Sequence, residues 1–311
     1  MQCALAGLVG GTGGGALGRW LRPSSPGLPF AGDICRSSRP ELMPVVARAP
    51  GELAFQGTHI LAFGAMRELA ERYAATGGRR LLVNGGGCDD GIVAVRRGAA
   101  DFGGLCCPVK GSSAEGIPWL PVATDVKAVI VHPDNPLRRI GLDDLRHLAT
   151  GRIARWSTQG WTDRPVVLVI RKHCPDYLEP VRDILLANRP DWSPKGLFVD
   201  TDRQIVDLVA RFPGAVGIVS WVFVREMAAA GKLKALALDG VTPEDALREG
   251  KAYRLSGPLN IVFRAWQPRV MTPFFDFLYG PAGQAVISQA LIPVSAAAAG
   301  YRPRGRLMQS A

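Results

Sequence analysis

The sequence predicts an α/β fold with mostly parallel sheets, and two observations carry this prediction. Short apolar runs alternate with amphipathic segments along most of the chain, which is the pattern of strands followed by helices. One apolar run, residues 166–170, has no polar residue, as expected for a parallel strand that is buried on both faces. At 311 residues the chain is long enough for two domains of ordinary size, so we expect two α/β lobes.

Composition and charge restrict the kinds of function. Hydrophobic residues make up 47% of the chain and charged residues 21%, which is typical of a globular protein. The formal net charge is +10, but Lys and Arg occur singly or in pairs and no aromatic residues are interleaved with them. This pattern argues against a nucleic-acid partner and leaves a positive field that favours a small anionic ligand. We expect a monomer without a cofactor.

The N-terminal segment, residues 1–51, is predicted to lie outside the lobes. Residues 3–17 form an apolar stretch that is too short and too rich in glycine for a membrane-spanning helix. Arg19 and Arg22 follow this stretch, whereas a secretory signal carries its basic residues before the apolar region. We interpret the segment as a degraded or mis-started signal, or as a disordered leader, followed by a proline-rich linker.

The first organised unit is a strand, a turn and a helix. Residues 53–55 form the strand, Gly57, Thr58 and His59 form the turn, and apolar residues at helical spacing follow over residues 60–73. Thr58 stands at the helix N-terminus, where a hydroxyl group is favoured as a cap, and the position favours that role.

The second unit contains a turn of three glycines. An apolar strand at residues 81–83 enters this turn, which ends at Gly87, and Cys88 and Asp89 open the following helix. The first backbone N–H groups of that helix and the positive end of its dipole can form an anion-binding site. A turn of this kind also serves ordinary α/β packing, and both interpretations stay open.

Ligands of open α/β sheets bind beyond the carboxyl ends of the strands. We expect the next strand to end at Asp101 and Phe102, which places Asp101 at this edge. Arg171 directly follows the strand at residues 166–170, and its guanidinium can donate two parallel hydrogen bonds to an oxyanion. Asp101 would accept a hydrogen bond from a protonated ligand oxygen or hold Arg171 in place. The predicted ligand-binding residues are Thr58, His59, Gly87, Cys88, Asp89, Asp101, Arg171 and Cys174.

The order of these segments resembles that of the phosphate-type periplasmic solute-binding proteins of ABC transporters, over about residues 52–295. Gly57-Thr58-His59 stands where that family has a Gly-Ser-Thr-type turn. Gly85-Gly86-Gly87-Cys88 matches a glycine-rich turn that ends in serine, and Asp101-Phe102-Gly103 matches an Asp-Phe/Ile-Gly sequence. The segments LDDLRHLATGRIARWS, GAVGIVS and FFDFLYGPAGQAVI resemble a middle helix with its Trp, a late strand and the terminal helix.

The resemblance implies a type II-like periplasmic-binding-protein fold, in which two lobes joined by crossover strands close on a ligand by hinge motion. Lobe 1 would comprise residues 52–123 plus 256–300, lobe 2 residues 124–255, and residues 301–311 a tail. The implied function is capture of a phosphate-like oxyanion between the lobes of an exported, periplasmic protein. Its partner would be an ABC transporter permease or a membrane sensor kinase.

The chain departs from the family pattern in its ligand loops. Arg171 is followed by KHCPDY, where the family has a loop of the Gly-Ser-Gly-Thr type, and proline removes a backbone donor there. Cys88 replaces the serine of the glycine-rich turn, and Cys106 and Cys107 stand near the family's Ser-Asp.

Four cysteines fall in the predicted ligand loops: Cys88, Cys106, Cys107 and Cys174. Three explanations stay open. Disulfides could join Cys88 to Cys106 or Cys107 to Cys174; the four could form a metal or arsenic site with His59 or His173 nearby; or the thiols could act as weak donors to an ordinary anion. The second explanation makes a sensory binding protein for arsenite or a soft metal ion the alternative function. The sequence contains no known catalytic motif. His173 and Cys174 are adjacent on one loop, and neighbours of this kind seldom act as base and nucleophile. We therefore predict no enzymatic activity.

Overall fold

The computed structural model describes residues 48–171, 179–303 and 306–307. The strands are β1 (Leu53–Thr58), β2 (Leu81–Gly86), β3 (Phe102–Leu105), β4 (Trp119–Val131), β5 (Arg139–Ile140), β6 (Val167–Arg171), β7 (Leu197–Val199), β8 (Ala215–Ser220), β9 (Lys234–Leu238), β10 (Ser256–Val262), β11 (Ile292–Pro293), β12 (Tyr301–Arg302) and β13 (Arg306–Leu307). The helices are α1 (His59–Leu61), α2 (Arg67–Ala75), α3 (Cys88–Arg96), α4 (Leu142–Thr150), α5 (Pro180–Leu186), α6 (Asp202–Arg211), α7 (Trp221–Ala229), α8 (Pro243–Glu249), α9 (Pro268–Tyr279) and α10 (Pro281–Ile287). A π-helical segment, Ala62–Met66, joins α1 to α2.

One group of strands has the order β2, β1, β3, β10, β4. The strand β1 lies between β2 and β3 and is parallel to both, with Phe55 beside Phe102. The strand β10 is antiparallel to β3 and to β4. Because β1, β2 and β3 are parallel, their carboxyl ends meet at one edge, where α1 and α3 begin.

The second group of strands has the order β7, β6, β8, β4, β9, which repeats the order of the first group. The strand β6 is parallel to β7 and β8, while β4 is antiparallel to β8 and β9. Consequently Arg171 at the end of β6 corresponds to Thr58 at the end of β1, and Asp202 at the start of α6 corresponds to Cys88 at the start of α3. The amino-acid sequence shows no repeat that reveals this correspondence.

The long strand β4 belongs to both groups. Its residues 119–126 pair with β10, whereas residues 127–131 pair with β8. The apolar runs at residues 119–123 and 126–132 predict two strands, and this prediction is wrong, because the chain stays extended through Thr124 and Asp125. The predicted boundary between residues 123 and 124 falls inside this strand, and the lobe boundaries stay a prediction.

A shared apolar core holds both groups together. Aromatic rings pack against one another beside β3, with Phe102 stacked on Phe274 at a centroid distance of 5.1 Å. Tyr301, at the start of the predicted tail, is buried and its hydroxyl donates to Asp276 at 2.6 Å. Trp156 is also buried and its ring N–H donates to the Gly214 carbonyl at 2.9 Å, so this buried indole keeps a hydrogen bond.

Within residues 48–171, 179–303 and 306–307, no helix combines the length and the apolar character needed to cross a membrane.

Candidate functional site

Thr58 lies where β1 ends and the first helix begins, and it is buried. It occupies the N-cap position, yet its side chain makes no cap hydrogen bond. The role as a helix cap, which the sequence favoured, is therefore wrong. A hydroxyl at this edge of the sheet is available for another purpose, and its role as a ligand contact stays a prediction.

His59 is buried beside the glycine-rich turn. Its Nδ1 atom lies 2.9 Å from the Gly86 carbonyl oxygen, and its ring stacks on Phe63. A side-chain carbon added to Gly85 would lie 2.7 Å from the His59 ring, so only glycine fits at that position. The glycines at the end of β2 are thus explained in part by close packing on His59, which was one of the two interpretations left open by the sequence.

The turn before α3 uses one of its own donors internally. The Gly87 N–H donates to the Asp90 carboxylate at 2.8 Å, so this amide already has an acceptor. Asp89 accepts from the Ser113 hydroxyl at 3.2 Å. Both contacts place negative charge at the start of α3, where the helix dipole favours it. The anion-binding site predicted at the start of α3 is therefore partly occupied by carboxylates of the protein itself.

Asp101 lies at the opposite edge of the sheet, and its predicted position is wrong. The strand β3 begins at Phe102 instead of ending there, so Asp101 stands at the amino ends of β1 and β3. Its carboxylate accepts from the Ala54 N–H at 2.8 Å and forms an ion pair with Arg48. Ligands of such sheets bind at the carboxyl ends, so the position of Asp101 gives no support to its predicted role as a ligand contact.

Arg171 ends β6 and is almost entirely buried. Its guanidinium donates to the Asp202 carboxylate at 2.6 Å, and both side chains are about 5% exposed. The alternative in which Asp101 holds Arg171 in place is therefore wrong, since Asp202 holds the guanidinium. Asp202 was missed from sequence, although the capping box formed by Thr201 and Gln204 could have located the start of α6.

A second buried ion pair lies at the point where β4 changes partners. The Lys127 ammonium is 2.6 Å from the Asp125 carboxylate, which also accepts from the Ser220 hydroxyl at 2.6 Å. Burial raises the pKa of Asp125. Burial by itself lowers the pKa of Lys127, but the fields of Asp125, Cys106 and Glu179 outweigh burial and raise it, so Lys127 remains a cation. Two oppositely charged residues two positions apart within an apolar strand are the sequence signal from which this pair could have been predicted.

Lys127 also marks where the two groups of strands approach each other. Cys106 follows β3 in the first group, and Glu179 is the N-cap residue of α5 in the second. A side-chain carbon at Gly257 would lie 2.7 Å from Pro180, so glycine allows α5 to contact β10 here. Carboxyl strand ends, helix N-termini and buried charges from both groups therefore converge on one region.

Three of the four predicted cysteines come together. The sulfur atoms of Cys88, Cys106 and Cys107 all lie within 4.8 Å of one another, and those of Cys88 and Cys106 are 3.4 Å apart. No covalent bond joins Cys88 to Cys106 at that distance. Cys88 and Cys107 are buried in a small apolar cluster with Ile92 and Val95, and Cys106 is half-buried. Cys174 lies outside the described residues, as does His173.

Two surface grooves lie elsewhere and contain no predicted site residue. One, of about 410 Å³, is apolar and lies at the amino ends of β6 and β8, beside the exposed side chains of Leu197 and Phe212. The other, of about 460 Å³, lies between α7 and α8. The first groove offers few polar groups, and the second, although polar, includes neither Arg171 nor the pair of Lys127 and Asp125. We therefore place the candidate site at the carboxyl ends of the strands.

Two groups of strands with the same order and one long strand common to both define a two-lobe periplasmic-binding-protein fold. A phosphate ABC transporter substrate-binding protein from Clostridium perfringens, solved with bound phosphate, matches with a TM-score of 0.66 and 24% identity, covering 78% of this chain and all of that chain. An ABC-type phosphate transport receptor from Vibrio cholerae matches with a TM-score of 0.60 and 23% identity over the same share of both chains. The predicted fold class is confirmed by these two structures.

The similarity in sequence is to the same group of proteins. The phosphate-binding protein PstS of Bacillus subtilis (strain 168) is 27% identical over 178 residues, which cover 53% of this chain and 54% of that protein. The chain thus matches about half the length of this curated relative. No family model matches the chain. The resemblance to phosphate-type solute-binding proteins that the sequence indicated is confirmed, and the proteins named here are binding proteins instead of enzymes.

Proposed function

We propose that this protein is an extracytoplasmic solute-binding protein that captures a phosphate-like oxyanion between its two lobes for an ABC transporter. Support comes from the similar proteins, which are named for phosphate binding or phosphate transport. The proposed location is the periplasm, and the proposed partner is a transporter permease. The alternative predicted from the sequence, a sensory protein for a thiophilic ligand, has no support from these similar proteins.

The observation that carries this proposal is the buried Arg171 at the carboxyl end of β6. A guanidinium has five N–H donors in a fixed fork, so Arg171 can keep its bond to Asp202 while it donates to a ligand oxygen. Asp202 opens α6, and the positive end of that helix dipole adds to the charge of the guanidinium. An anion that enters here meets a donor group already oriented by a buried carboxylate.

Thr58 and Cys88 are the proposed contacts from the first group of strands. Thr58 has a hydroxyl without a capping role, and Cys88 opens α3 at the same edge. A ligand held by these residues and by Arg171 would connect β1 and α3 to β6. Closure by hinge motion at β4 and β10 is the proposed consequence, because differential contacts in the closed form shift the equilibrium towards it.

Calorimetric titration of the full-length protein with inorganic phosphate tests the proposal. Substitution Arg171→Ala is expected to weaken binding by roughly 2 to 5 kcal/mol, the loss typical of removing one partner of a buried charge pair. Arg155→Ala is the matched control, because Arg155 also pairs with an aspartate, Asp163, but lies exposed on the surface. This control is expected to leave the affinity unchanged.

Folding of each variant must be checked by circular dichroism, since Asp202 loses its partner in Arg171→Ala. Arg171→Lys keeps the charge and loses the fork, so it separates loss of the fork from misfolding. We expect an intermediate affinity for Arg171→Lys. Absence of phosphate binding by the wild-type protein, or unchanged affinity in a folded Arg171→Ala variant, would overturn the proposal.

A further inference from the structure

The three clustered cysteines come from two adjoining elements of the first strand group. Cys88 is the first residue of α3, and Cys106 and Cys107 directly follow β3. The helix α3 connects β2 to β3, so its start and the end of β3 meet at the same edge of the sheet. The cluster is therefore built by the fold from residues 18 positions apart and does not depend on the second strand group.

The spacing of the sulfur atoms suits a single central atom. A metal about 2.3 Å from each thiolate sulfur holds the sulfurs roughly 3.8 to 4.0 Å apart in tetrahedral or planar geometry. The observed separations reach from 3.4 Å for Cys88 and Cys106 to at most 4.8 Å within the cluster. Small rotations of the three side chains are enough to place every sulfur at a bonding distance from one atom.

We propose that Cys88, Cys106 and Cys107 form a binding site for a thiophilic centre, either a soft metal ion or trivalent arsenic, held by three sulfur bonds. Thiolate ligands select soft centres, which is the chemistry that both ligands share. Among the described residues no imidazole or carboxylate joins this group. Three sulfurs are enough to complete a three-coordinate soft centre.

Binding of arsenic at this site is an exchange of ligands without oxidation or reduction. Arsenous acid carries three hydroxyl groups, and each leaves as water with the proton of one thiol while an arsenic–sulfur bond forms. A soft metal ion instead displaces the three thiol protons into solvent. Neither route needs an oxidant, a reductant or a further reactant.

A backbone donor and positive charge lie beside the cluster, as do the carboxylates of Asp89 and Asp90 at the start of α3. The backbone N–H of Cys106 donates to the Cys88 sulfur at 3.2 Å, and Cys88 stands at the positive end of the α3 dipole. The buried Lys127 ammonium adds positive charge on the side of Cys106. Packing of small apolar side chains explains the burial of Cys88 and Cys107. It does not explain three sulfurs brought together or a backbone donor directed at one of them.

Titration of the fully reduced, full-length protein with arsenite tests the site, with Cu(I) and inorganic phosphate as parallel arms. We expect one arsenic per chain and the loss of three of the six thiols that the sequence contains. Substitutions Cys88→Ser, Cys106→Ser and Cys107→Ser should each weaken arsenite binding at least about tenfold, because one intramolecular ligand is lost. Cys35→Ser is the matched control and should bind as the wild type does.

X-ray absorption at the arsenic edge on wild-type protein gives a measurement that does not depend on how the variants fold. We expect three sulfur neighbours around arsenic. The affinities measured in the arsenite and Cu(I) titrations show which of the two ligands binds more tightly. Two or fewer sulfur neighbours, oxygen neighbours, an unchanged thiol count in both arms, or equal loss in Cys35→Ser would overturn the proposal. Loss of phosphate binding in Arg171→Ala with unchanged arsenite binding would show that the arsenic site, although it shares Cys88 with the proposed oxyanion site, does not need Arg171.

Discussion

The ion pair of Lys127 and Asp125 is expected to be highly sensitive to the loss of either partner. Asp125 lies in the part of β4 that pairs with β10, and Lys127 in the part that pairs with β8. Their side chains are 1% and 7% exposed, and their charged atoms are 2.6 Å apart. We predict that replacing either residue alone, by Asp125→Asn or Lys127→Met, strongly destabilises the protein, whereas replacing both costs much less.

The magnitude follows from the geometry. Two unit charges 2.6 Å apart attract by about 6 kcal/mol at an effective dielectric constant of 20. Desolvation of both groups offsets much of this attraction, so the pair itself contributes little net stability. Removing one partner instead leaves the other charge buried, which typically costs about 3 to 5 kcal/mol. The double variant has neither charge of the pair, so its free energy of unfolding should fall by less than that of either single variant.

Urea denaturation followed by circular dichroism measures these four proteins in a double-mutant cycle. A coupling energy of about 2 to 3 kcal/mol between the two sites is expected. The matched control is Lys251→Met, because Lys251 pairs with Glu249 at 2.8 Å on the surface, with both side chains at least half exposed. This control should leave the unfolding midpoint unchanged. Additive effects of Asp125→Asn and Lys127→Met would refute the role assigned to the pair.

Two further predictions concern packing and helix caps. Gly91→Ala should destabilise the protein by about 1 to 3 kcal/mol, because the added carbon would lie 2.6 Å from the Gln56 carbonyl oxygen and push α3 off β1. Gly141→Ala, whose nearest neighbours are 3.8 Å away, should change stability by less than about 0.5 kcal/mol; equal thermal melts for both variants would contradict the close contact. Thr201→Val should cost about 1 kcal/mol, since its hydroxyl caps α6. Thr58→Val removes no cap and should instead weaken phosphate binding, so a loss of stability without a loss of affinity would remove Thr58 from the site.

Local patterns were sufficient for the class of fold and for part of the candidate site. Apolar runs and helical spacing identified most strands and helices, because side-chain periodicity follows directly from backbone geometry. The solid apolar run before Arg171 indicated a buried strand that ends in a charge, and the structure places Arg171 at the end of β6. The grouping of cysteines in loops was visible in the same way. These features depend on neighbours within a few residues along the chain.

The direction and limits of short strands were less predictable. The strand β3 has only four residues, two of them glycine, so its apolar signal is weak. We expected the strand to end at Phe102, which is instead its first residue. Asp101 was consequently predicted at the wrong edge of the sheet. Its partner at that edge, the Ala54 backbone, lies 47 positions away in sequence, and no local pattern identifies such a contact.

The sequence by itself determined the alternation of strands and helices, the resemblance to two-lobe binding proteins and the residue types available at the strand ends. Only the tertiary structure decided which of these residues meet. Arg171 is paired with Asp202 across 31 positions, Asp125 with Ser220 across 95, and three sulfurs are brought within 4.8 Å. The physical reason is that hydrogen bonds and ion pairs in the interior are selected by burial, where an unpartnered charge is costly. Burial depends on the packing of the whole chain, whereas periodicity depends only on adjacent residues.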